Sequence, residues 1–238
     1  MCGRYYIDIA KDELSFVNNF SKIKYEQNFN VAPQNQAPCI IDNNLVIANW
    51  GYFPDWLKSQ SNPRPLFNTR YESLLEKKTF TSAFKNSRCI IPISGWYEWK
   101  EEDGIKQPYY FFDTSQSLLF AAGLYWNRSS GDIETSIITR EAVDSLQVIH
   151  NRSPLLLTSE QRDIWVSDLS SEEIYSEILD YTYDDIEFHK VDRAVNNPKN
   201  NNPNKNITGF LDFWHREIKF RNGLCLCTGP SPFWNLIK

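Results

Sequence analysis

The sequence contains no apolar run of about 20 residues, the length that a membrane-spanning helix requires. Its first residues lack the basic and apolar regions of a secretory signal peptide. The 5 cysteines show no pairing pattern, and Cys225 with Cys227 lacks the second pair of ligands that a structural zinc site needs. We therefore expect a cytoplasmic protein with no membrane association, no bound metal and no cofactor.

The chain also lacks the excess of basic residues that marks many nucleic-acid-binding proteins, because its net charge is −5 at pH 7. The negative charge is uneven, however, since residues 170–187 are acidic and contain no Lys or Arg. The remainder has a slightly positive balance, so a local basic groove is compatible with the composition. Net charge alone does not identify the partner.

Apolar residues are plentiful, with 41% hydrophobic and 15% aromatic residues in a chain of 238. Short β-rich segments dominate, and Asp103-Gly104 between two of them is a strong hairpin signal. We predict an α+β fold, in which a single domain over residues 1–238 has a curved, mainly antiparallel, barrel-like β-sheet flanked by short helices. The aromatic segment 207–238 is expected to pack back on this body.

The local patterns predict helices at residues 10–20, 68–84 and 159–166, a helical turn near 141–147, and one acidic helix after residue 170. Loops are predicted around residues 30–33 and 51–67. Strands are predicted at residues 2–8, 37–41, 45–50, 88–93, 95–101, 107–113, 117–125, 134–139, 154–157 and 187–191.

The most reactive feature is the start of the chain, Met1-Cys2-Gly3-Arg4. Removal of Met1, which is usual before a small residue, would give Cys2 a free α-amine beside its thiol. Reference pKa values of about 8 for the amine and about 8.5 for the thiol allow neutral amine and thiolate to coexist near pH 7. This 1,2-aminothiol could condense with an aldehyde to form a five-membered thiazolidine, or its thiolate could attack an acyl carbon.

Three further polar residues stand in apolar surroundings. Glu98 lies among aromatic residues on a predicted central strand, where burial would raise its pKa and suit it to proton transfer. His150 is one of only 3 histidines, and Asn68 stands at the start of a predicted helix. Each has a simpler explanation: an incidental Cys2, an exposed Glu98, a structural His150 and a helix-capping Asn68.

Together, ordered blocks at characteristic spacing resemble the SOS-response-associated peptidase (SRAP) family over residues 1 to about 203. The blocks are Met1-Cys2-Gly3-Arg4-Tyr5, Asn30-Val31-Ala32-Pro33, Trp50-Gly51, Asn68-Thr69-Arg70-Tyr71-Glu72, Arg88-Cys89-Ile90-Ile91-Pro92, Gly95-Trp96-Tyr97-Glu98-Trp99, Ala122-Gly123-Leu124-Tyr125, Ile149-His150-Asn151-Arg152-Ser153-Pro154 and Val195-Asn196-Asn197-Pro198.

The resemblance implies that the protein crosslinks to an abasic site in single-stranded DNA, whose ring-opened sugar exposes an aldehyde. It gives Cys2 the covalent role, through both amine and thiol. Glu98 would move protons, His150 would assist proton transfer at the deoxyribose oxygen, and Asn68 would hold the reacting centre. Weak lyase activity through the imine, and self-removal of Met1, are subsidiary expectations.

The resemblance also implies how the DNA is held. Arg4, Arg70 and Arg152 would contact phosphates flanking the lesion, because the guanidinium fork matches a phosphate. The candidates for stacking on bases beside the gap are Pro33, Trp56 and Trp99. We expect a monomer in the cytoplasm, associated with the nucleoid when bound to damaged DNA.

Two blocks depart from the family pattern. The usual His-Asp-Arg-Met-Pro reads His150-Asn151-Arg152-Ser153-Pro154, so the missing Asp is expected to change how His150 is held. The usual Asn-Ala-Arg-Ala-Glu reads Asn68-Thr69-Arg70-Tyr71-Glu72. Three other functions stay open: an amidohydrolase or glutamine amidotransferase with an N-terminal Cys nucleophile, a peptidase, and a non-catalytic single-strand-binding module.

Overall fold

The computed structural model describes residues 2–9, 14–19, 23–116, 118–178 and 183–203. Its strands are β1 (Arg4–Ile7), β2 (Asn28–Val31), β3 (Gln36–Ile41), β4 (Asn44–Trp50), β5 (Asn68–Arg70), β6 (Arg88–Ile93), β7 (Gly95–Glu102), β8 (Ile105–Asp113), β9 (Leu119–Asn127), β10 (Ile133–Glu141), β11 (Arg152–Pro154) and β12 (Ile186–Lys190). Its helices are α1 (Asp55–Lys58), α2 (Lys78–Asn86), α3 (Asp144–Gln147), α4 (Ser159–Trp165) and α5 (Ser171–Glu177), with 3₁₀ turns at Tyr71–Ser73 and Arg193–Asn196.

Five strands close into a barrel in the order β10-β4-β3-β6-β9, with β9 pairing back onto β10. The barrel is mixed, because β10 runs parallel to β4 while the remaining pairs are antiparallel. Two short strands extend it along β10: β5 pairs in parallel and β11 pairs antiparallel. Strand β10 therefore brings β5 and β11, which are distant in sequence, to one side of the barrel.

A second sheet is antiparallel throughout, in the order β12-β8-β7-β1-β2. Strands β7 and β8 form the predicted hairpin, whose turn residues Asp103 and Gly104 have φ values of 49° and 75°. Positive φ at both positions is what a two-residue hairpin turn requires, and Asp-Gly supplies it at low steric cost. At the other end of β7, a Cβ on Gly95 would stand 2.5 Å from the Tyr110 hydroxyl, so only glycine allows this approach.

The second sheet is covered on both faces. Alternate residues of β1 and β7, such as Tyr5 and Trp96, belong to the main apolar core. The opposite face carries a smaller cluster that includes Tyr6 and Tyr97 and is closed by Val195 of the final 3₁₀ turn. Because side chains alternate along a strand, Glu98 faces the same side as Trp96, toward the main core.

The predicted fold class is confirmed: the structure is α+β with a barrel-like sheet and short helices. Several local predictions were wrong. Asn30 and Val31 lie in β2 and not in a loop, and residues 51–67 include helix α1. The strand predicted at residues 154–157 lies earlier, since β11 covers residues 152–154.

The predicted helix at 68–84 is the largest correction. Asn68 begins strand β5, a 3₁₀ turn follows, and the helix starts only at Lys78. Hydrogen bonding to β10 outweighs the local apolar spacing, since a strand beside a barrel gains ladder partners that an isolated helical turn lacks. Asn68 therefore caps no helix.

Two other predictions lie partly or wholly outside the described residues. The helix at 10–20 overlaps them only at 14–19, which form turns, and the segment 207–238 lies beyond them, with Cys225 and Cys227. Within the described ranges, no cluster of His, Cys, Asp or Glu is arranged to hold a metal ion. In the same part of the chain, no helix combines the length and the apolar character needed to cross a membrane.

Candidate active site

Cys2 precedes β1 and is fully buried against the main core. Its Sγ lies 3.8 Å from the Arg4 carbonyl oxygen, a distance that suits a weak S–H donor. Burial, followed by the nearby Glu98 carboxylate, raises the pKa of the thiol far above its ordinary value. The thiol is therefore protonated at neutral pH and needs a proton acceptor before it can act as a nucleophile.

Asn68 reaches Cys2 from the barrel. The carbonyl of Phe67 accepts hydrogen bonds from Trp50 Nε1 at 2.8 Å and from the Ile137 N–H at 3.0 Å, which fixes the start of β5. Asn68 Nδ2 donates to the Cys2 carbonyl oxygen at 2.6 Å. Its Oδ1 is buried and has no hydrogen-bond partner within the described part of the chain. One half of this amide thus holds Cys2 while the other half offers an acceptor.

Glu98 is almost completely buried, with 2% of the residue exposed. It stands on β7, which pairs with β1, the strand that begins two residues after Cys2. Burial raises its pKa from an ordinary 4.5 to about 7. The burial and the raised pKa that the sequence predicted are confirmed, and the exposed alternative is excluded. A carboxyl group with this pKa can both give and take a proton near neutral pH.

His150 follows α3 and lies half-buried beside Glu98, with its Nε2 3.8 Å from Glu98 Oε2. Its Nδ1 accepts the Arg152 backbone N–H at 3.0 Å. Nδ1 also lies 3.3 Å from the Arg152 carbonyl oxygen, and the shorter contact with the N–H, which can only donate, favours the neutral tautomer with its proton on Nε2, toward Glu98. Burial lowers the pKa of His150, which favours this neutral form. The Asn151 side chain has no part in this contact.

Arg152 extends the site to the surface. Its Nη1 and Nη2 donate to the two carboxylate oxygens of Glu72 at 2.8 and 2.9 Å, a bidentate pair. Nη2 also donates to the Thr139 carbonyl oxygen at 2.6 Å. Arg152 thus positions His150 through its backbone and presents an oriented guanidinium beside it.

The other residues predicted to contact DNA lie in several different elements of the fold. Arg70 is exposed at the end of β5, and Trp56 is 55% exposed on α1. Pro33 is half-buried directly after β2. Trp99 is half-buried and donates its Nε1–H to Asn196 Oδ1 at 2.6 Å. Their roles toward DNA stay predictions.

Arg4 differs from the exposed Arg70, because its guanidinium is turned toward oxygen atoms of the protein. Nη1 donates to Asn30 Oδ1 at 3.0 Å and to the Val195 carbonyl oxygen at 2.8 Å. Burial lowers its pKa from the ordinary value. No role was predicted for Glu72, Asn30 or Asn196, although all three lie in the blocks quoted for the family resemblance.

Four predicted residues therefore meet in one place. The structure links Asn68 to Cys2 and His150 to Glu98, and the Glu98 charge is felt at the Cys2 thiol. The cluster combines a nucleophile, a carboxyl group that titrates near pH 7 and a neutral imidazole with a defined proton. Such a set can carry out addition to a carbonyl and the proton transfers that accompany it.

Comparison with known proteins gives consistent matches. The family model described as SOS response associated peptidase (SRAP) matches residues 1–198. The abasic site processing protein YoqW of Bacillus subtilis (strain 168) is 34% identical over 218 residues, covering 85% of this chain and 97% of that protein. The abasic site processing protein HMCES of Mus musculus is 28% identical over 229 residues, covering 76% of this chain and 64% of that protein.

The fold is matched by solved structures as well. A crystal structure of a protein from Bacteroides thetaiotaomicron superposes with a TM-score of 0.62 at 27% identity. The match covers 69% of this chain and 78% of that chain.

Proposed function

The chain belongs to the SOS response associated peptidase (SRAP) family, and on this premise we propose that it processes abasic sites in DNA. In the proposed reaction, Cys2 becomes the N-terminal residue and traps the aldehyde of the lesion as a thiazolidine. The observation that supports this most is the cluster of Cys2, Asn68, Glu98 and His150. Names of relatives supply the substrate class, and the cluster supplies chemistry that suits it.

The first proposed step opens the sugar. The Glu98 carboxylate takes the proton of the C1′ hydroxyl while the His150 Nε2–H gives its proton to the ring oxygen of the deoxyribose, and Glu98 returns a proton to Nε2 across their 3.8 Å contact, which restores the neutral ring. The C1′ aldehyde is then free. The neutral His150 ring and the carboxyl group with a pKa of about 7 suit these two opposite transfers.

The second step is condensation. The Cys2 α-amine adds to C1′, and the resulting carbinolamine loses its hydroxyl group as water with a proton from Glu98, leaving an iminium ion that keeps one N–H. The Cys2 thiol then loses its proton to the Glu98 carboxylate, and sulfur bonds to the former C1′ carbon. The iminium nitrogen becomes the neutral ring N–H as this bond forms and Glu98 ends protonated as it began, so that the sum is aldehyde plus aminothiol giving thiazolidine plus water. The Asn68 amide holds the Cys2 carbonyl throughout.

The raised pKa of the Cys2 thiol supports this order of events. Burial keeps this thiol protonated, so it is a weak nucleophile until a base removes its proton. The amine can attack first, and the thiol is needed only once the imine stands next to it. Loss of a C2′ proton from the same imine to Glu98 would eliminate the 3′ phosphate, which accounts for weak lyase activity as a subsidiary proposal.

DNA binding is proposed to follow the surface beside His150. Arg70 and Arg152 would contact phosphates on either side of the lesion, and Trp56 with Pro33 would stack on neighbouring bases. An abasic position has no base to unstack, so a single strand bends there at low cost. Affinity should fall with salt, by a slope of about 0.7 for each phosphate that a cation neutralises on a single strand.

The remaining parts of the proposal concern the whole chain. We propose that residues 1–238 act as one domain and as a monomer. Working on damaged DNA would place it in the cytoplasm and on the nucleoid when it is bound. Met1 must be removed first, by the protein itself or by a methionine aminopeptidase, because a peptide-bonded amine cannot form the imine.

Intact-protein mass spectrometry tests the proposal. Purified protein that begins at Cys2 is mixed with a single-stranded oligonucleotide carrying one abasic site. The expected product is a heat-stable adduct with the mass of protein plus oligonucleotide minus one water. Cys2→Ala should give none, whereas Cys39→Ala, at a buried cysteine of the barrel, should react normally.

Two further outcomes would reject the proposal. An adduct with an oligonucleotide whose abasic aldehyde has been reduced to an alcohol would mean that the aldehyde is not the target. Absence of any adduct from a chain that begins at Cys2 would leave the amidohydrolase, peptidase and non-catalytic binding alternatives, which glutamine or peptide hydrolysis and reversible binding would separate.

A further inference from the structure

The end of the last 3₁₀ turn and the segment after it contact strands β1, β2 and β7, and one buried amide side chain holds them there. Asn30 of β2 is 1% exposed. Its Nδ2 faces the carbonyl oxygens of Val195, Asn197 and Asn200 at 3.1, 2.9 and 3.0 Å. We name residues 195–201 the strap. A side chain in β2 thus fixes a segment about 165 residues away in sequence.

Arg4 connects the strap to the strand of the nucleophile. Its Nη1 donates to Asn30 Oδ1 at 3.0 Å and to the Val195 carbonyl oxygen at 2.8 Å, and its Nη2 lies 3.4 Å from the Asn196 carbonyl oxygen. Arg4 stands two residues after Cys2, and its carbonyl oxygen receives the Cys2 S–H. The position of Arg4 therefore governs the position of Cys2.

The strap also contacts β7. Asn196 Oδ1 accepts the Trp99 Nε1–H at 2.6 Å, and Trp99 directly follows Glu98. A further contact lies at the end of the strap, where Asn201 Oδ1 accepts the Phe29 N–H at 2.6 Å. The strap thus touches β1, which begins two residues after Cys2, and β7, which carries Glu98.

We propose that the strap, joined through Asn30 and Arg4, is a positioning element that holds Cys2 against Glu98 for the crosslinking step. This inference rests on the proposed function. It gives Arg4 a positioning role in place of the phosphate contact that the sequence predicted, because every contact of its fork is with protein oxygen atoms of the strap and Asn30. A guanidinium hydrogen-bonded in this way is pre-organised, and a small displacement of a reacting group is enough to slow a reaction greatly.

The decisive variant is Arg4→Lys, which keeps the positive charge and loses the fork. If Arg4 served only as a phosphate ligand, lysine could largely replace it. Lysine cannot replace a guanidinium group that holds several protein oxygen atoms in fixed directions. We expect the crosslinking rate at saturating DNA to fall about 10- to 100-fold. Reversible affinity for an oligonucleotide with a reduced abasic site should change less than about twofold, with an unchanged salt slope.

Asn30→Asp gives a second, independent variant. The carboxylate keeps an acceptor for Arg4 but cannot donate to the three strap carbonyls, so the strap should loosen while Arg4 stays paired. The same split is expected, a slower crosslinking rate with retained binding. Lys199→Ala is the matched control, since it removes a positive charge from the exposed part of the strap and keeps the backbone hydrogen bond from the Lys199 N–H to Asn197 Oδ1. It should react at the rate of the unaltered protein.

Backbone amide hydrogen exchange separates failure of this inference from failure of the proposed function. In both variants the amides of β1 should lose protection, at pH 7 and without DNA, and alkylation of Cys2 should become faster. If the unaltered protein forms no adduct, the proposed function fails, but these two readouts still test the strap. Unchanged protection of β1 would overturn the inference. So would a crosslinking rate in Arg4→Lys equal to that of the unaltered protein, which would restore the phosphate contact.

Discussion

The polar groups around β1 are satisfied to different degrees on the side of the strap and on the side of the candidate site, which we call the reacting side. On the strap side, the buried amide of Asn30 and the fork of Arg4 are met by carbonyl oxygen atoms at hydrogen-bond distance. On the reacting side, Asn68 Oδ1 is buried without a partner within the described residues, and burial raises the pKa values of Cys2 and Glu98. A satisfied network stabilises the fold, whereas an unmet buried acceptor and shifted pKa values are typical of functional sites.

The difference indicates a division of labour. Groups that must change protonation or bonding partners during a reaction cannot also be locked into strong hydrogen bonds. The positions of such groups are then fixed by neighbouring residues that take no part in the chemistry. Variants on the reacting side should affect rate more than stability, and variants on the strap side should affect both.

Glu98→Gln should have the largest effect. The amide cannot transfer protons, so the crosslinking rate should fall at least about 100-fold. The rate profile should also lose the limb that reflects a pKa near 7. Crosslinking rates between pH 5 and 9, measured for both proteins at saturating DNA, provide the comparison. A variant that kept its rate would remove Glu98 from the mechanism.

The same substitution should stabilise the fold, which makes it a test of strain at the reacting side. The folded pKa of Glu98 is about 7, above an ordinary 4.5, so its protonated form favours folding. That stability is complete below pH 4.5 and is lost as the pH rises through 7. At pH 8 Glu98→Gln should therefore be more stable by about 2–3 kcal/mol. Urea unfolding at pH 5 and pH 8 would show the gap growing with pH; an equal gap at both would contradict it.

Asn68→Ala should have the next largest effect on rate. The variant loses one hydrogen bond to Cys2 and also an acceptor that was unmet, so the free energy of unfolding should change by less than about 1 kcal/mol. The crosslinking rate should fall about 10- to 100-fold, since Cys2 is no longer held. Thermal unfolding and adduct kinetics measured on one preparation test this. A strongly destabilised variant would mean that Asn68 serves the fold.

Sequence reasoning found the reacting residues because each of them is chemically unusual in its local context. Glu98 between aromatic residues indicated a buried carboxyl group, and the β7–β8 hairpin followed from Asp103-Gly104. These are local signals, and the structure confirms them. Their roles in the reaction remain predictions.

The contacts that join the site were beyond sequence reasoning for a physical reason. Asn68 and Cys2 are 66 residues apart, Arg152 and Glu72 are 80 apart, and Asn30 and Val195 are 165 apart. The first two pairs depend on the tertiary arrangement around the barrel, where β5 and β11 pair with β10, and the third depends on the last 3₁₀ turn lying against the second sheet, which local periodicity does not encode. The same pairing turned the predicted helix at Asn68 into a strand.

Trp99→Phe should give a smaller effect that separates the two roles of this residue. Phenylalanine keeps a ring for stacking but loses the Nε1–H that Asn196 accepts, so unfolding should become easier by about 1 kcal/mol. Affinity for single-stranded DNA should be retained, whereas Trp99→Leu should weaken it by about 1–2 kcal/mol if a base stacks there. Fluorescence anisotropy and urea unfolding of both variants distinguish these cases. Equal affinities for the two variants would exclude stacking on Trp99.

Glu72→Gln should have the smallest effect, and it tests whether the reacting side is poised for phosphate. The bidentate carboxylate of Glu72 both orients Arg152 and neutralises it. An amide at this position removes the negative charge, so a phosphate should find a stronger positive field and bind a few-fold more tightly. The salt slope should steepen by about 0.7, the value for one more phosphate contact on a single strand. Arg152→Gln should reverse both changes. If Glu72→Gln instead weakened binding, the orientation of Arg152 by Glu72 would matter more for DNA binding than the negative charge of Glu72. Glu72 would then be a positioning residue, like the residues of the strap.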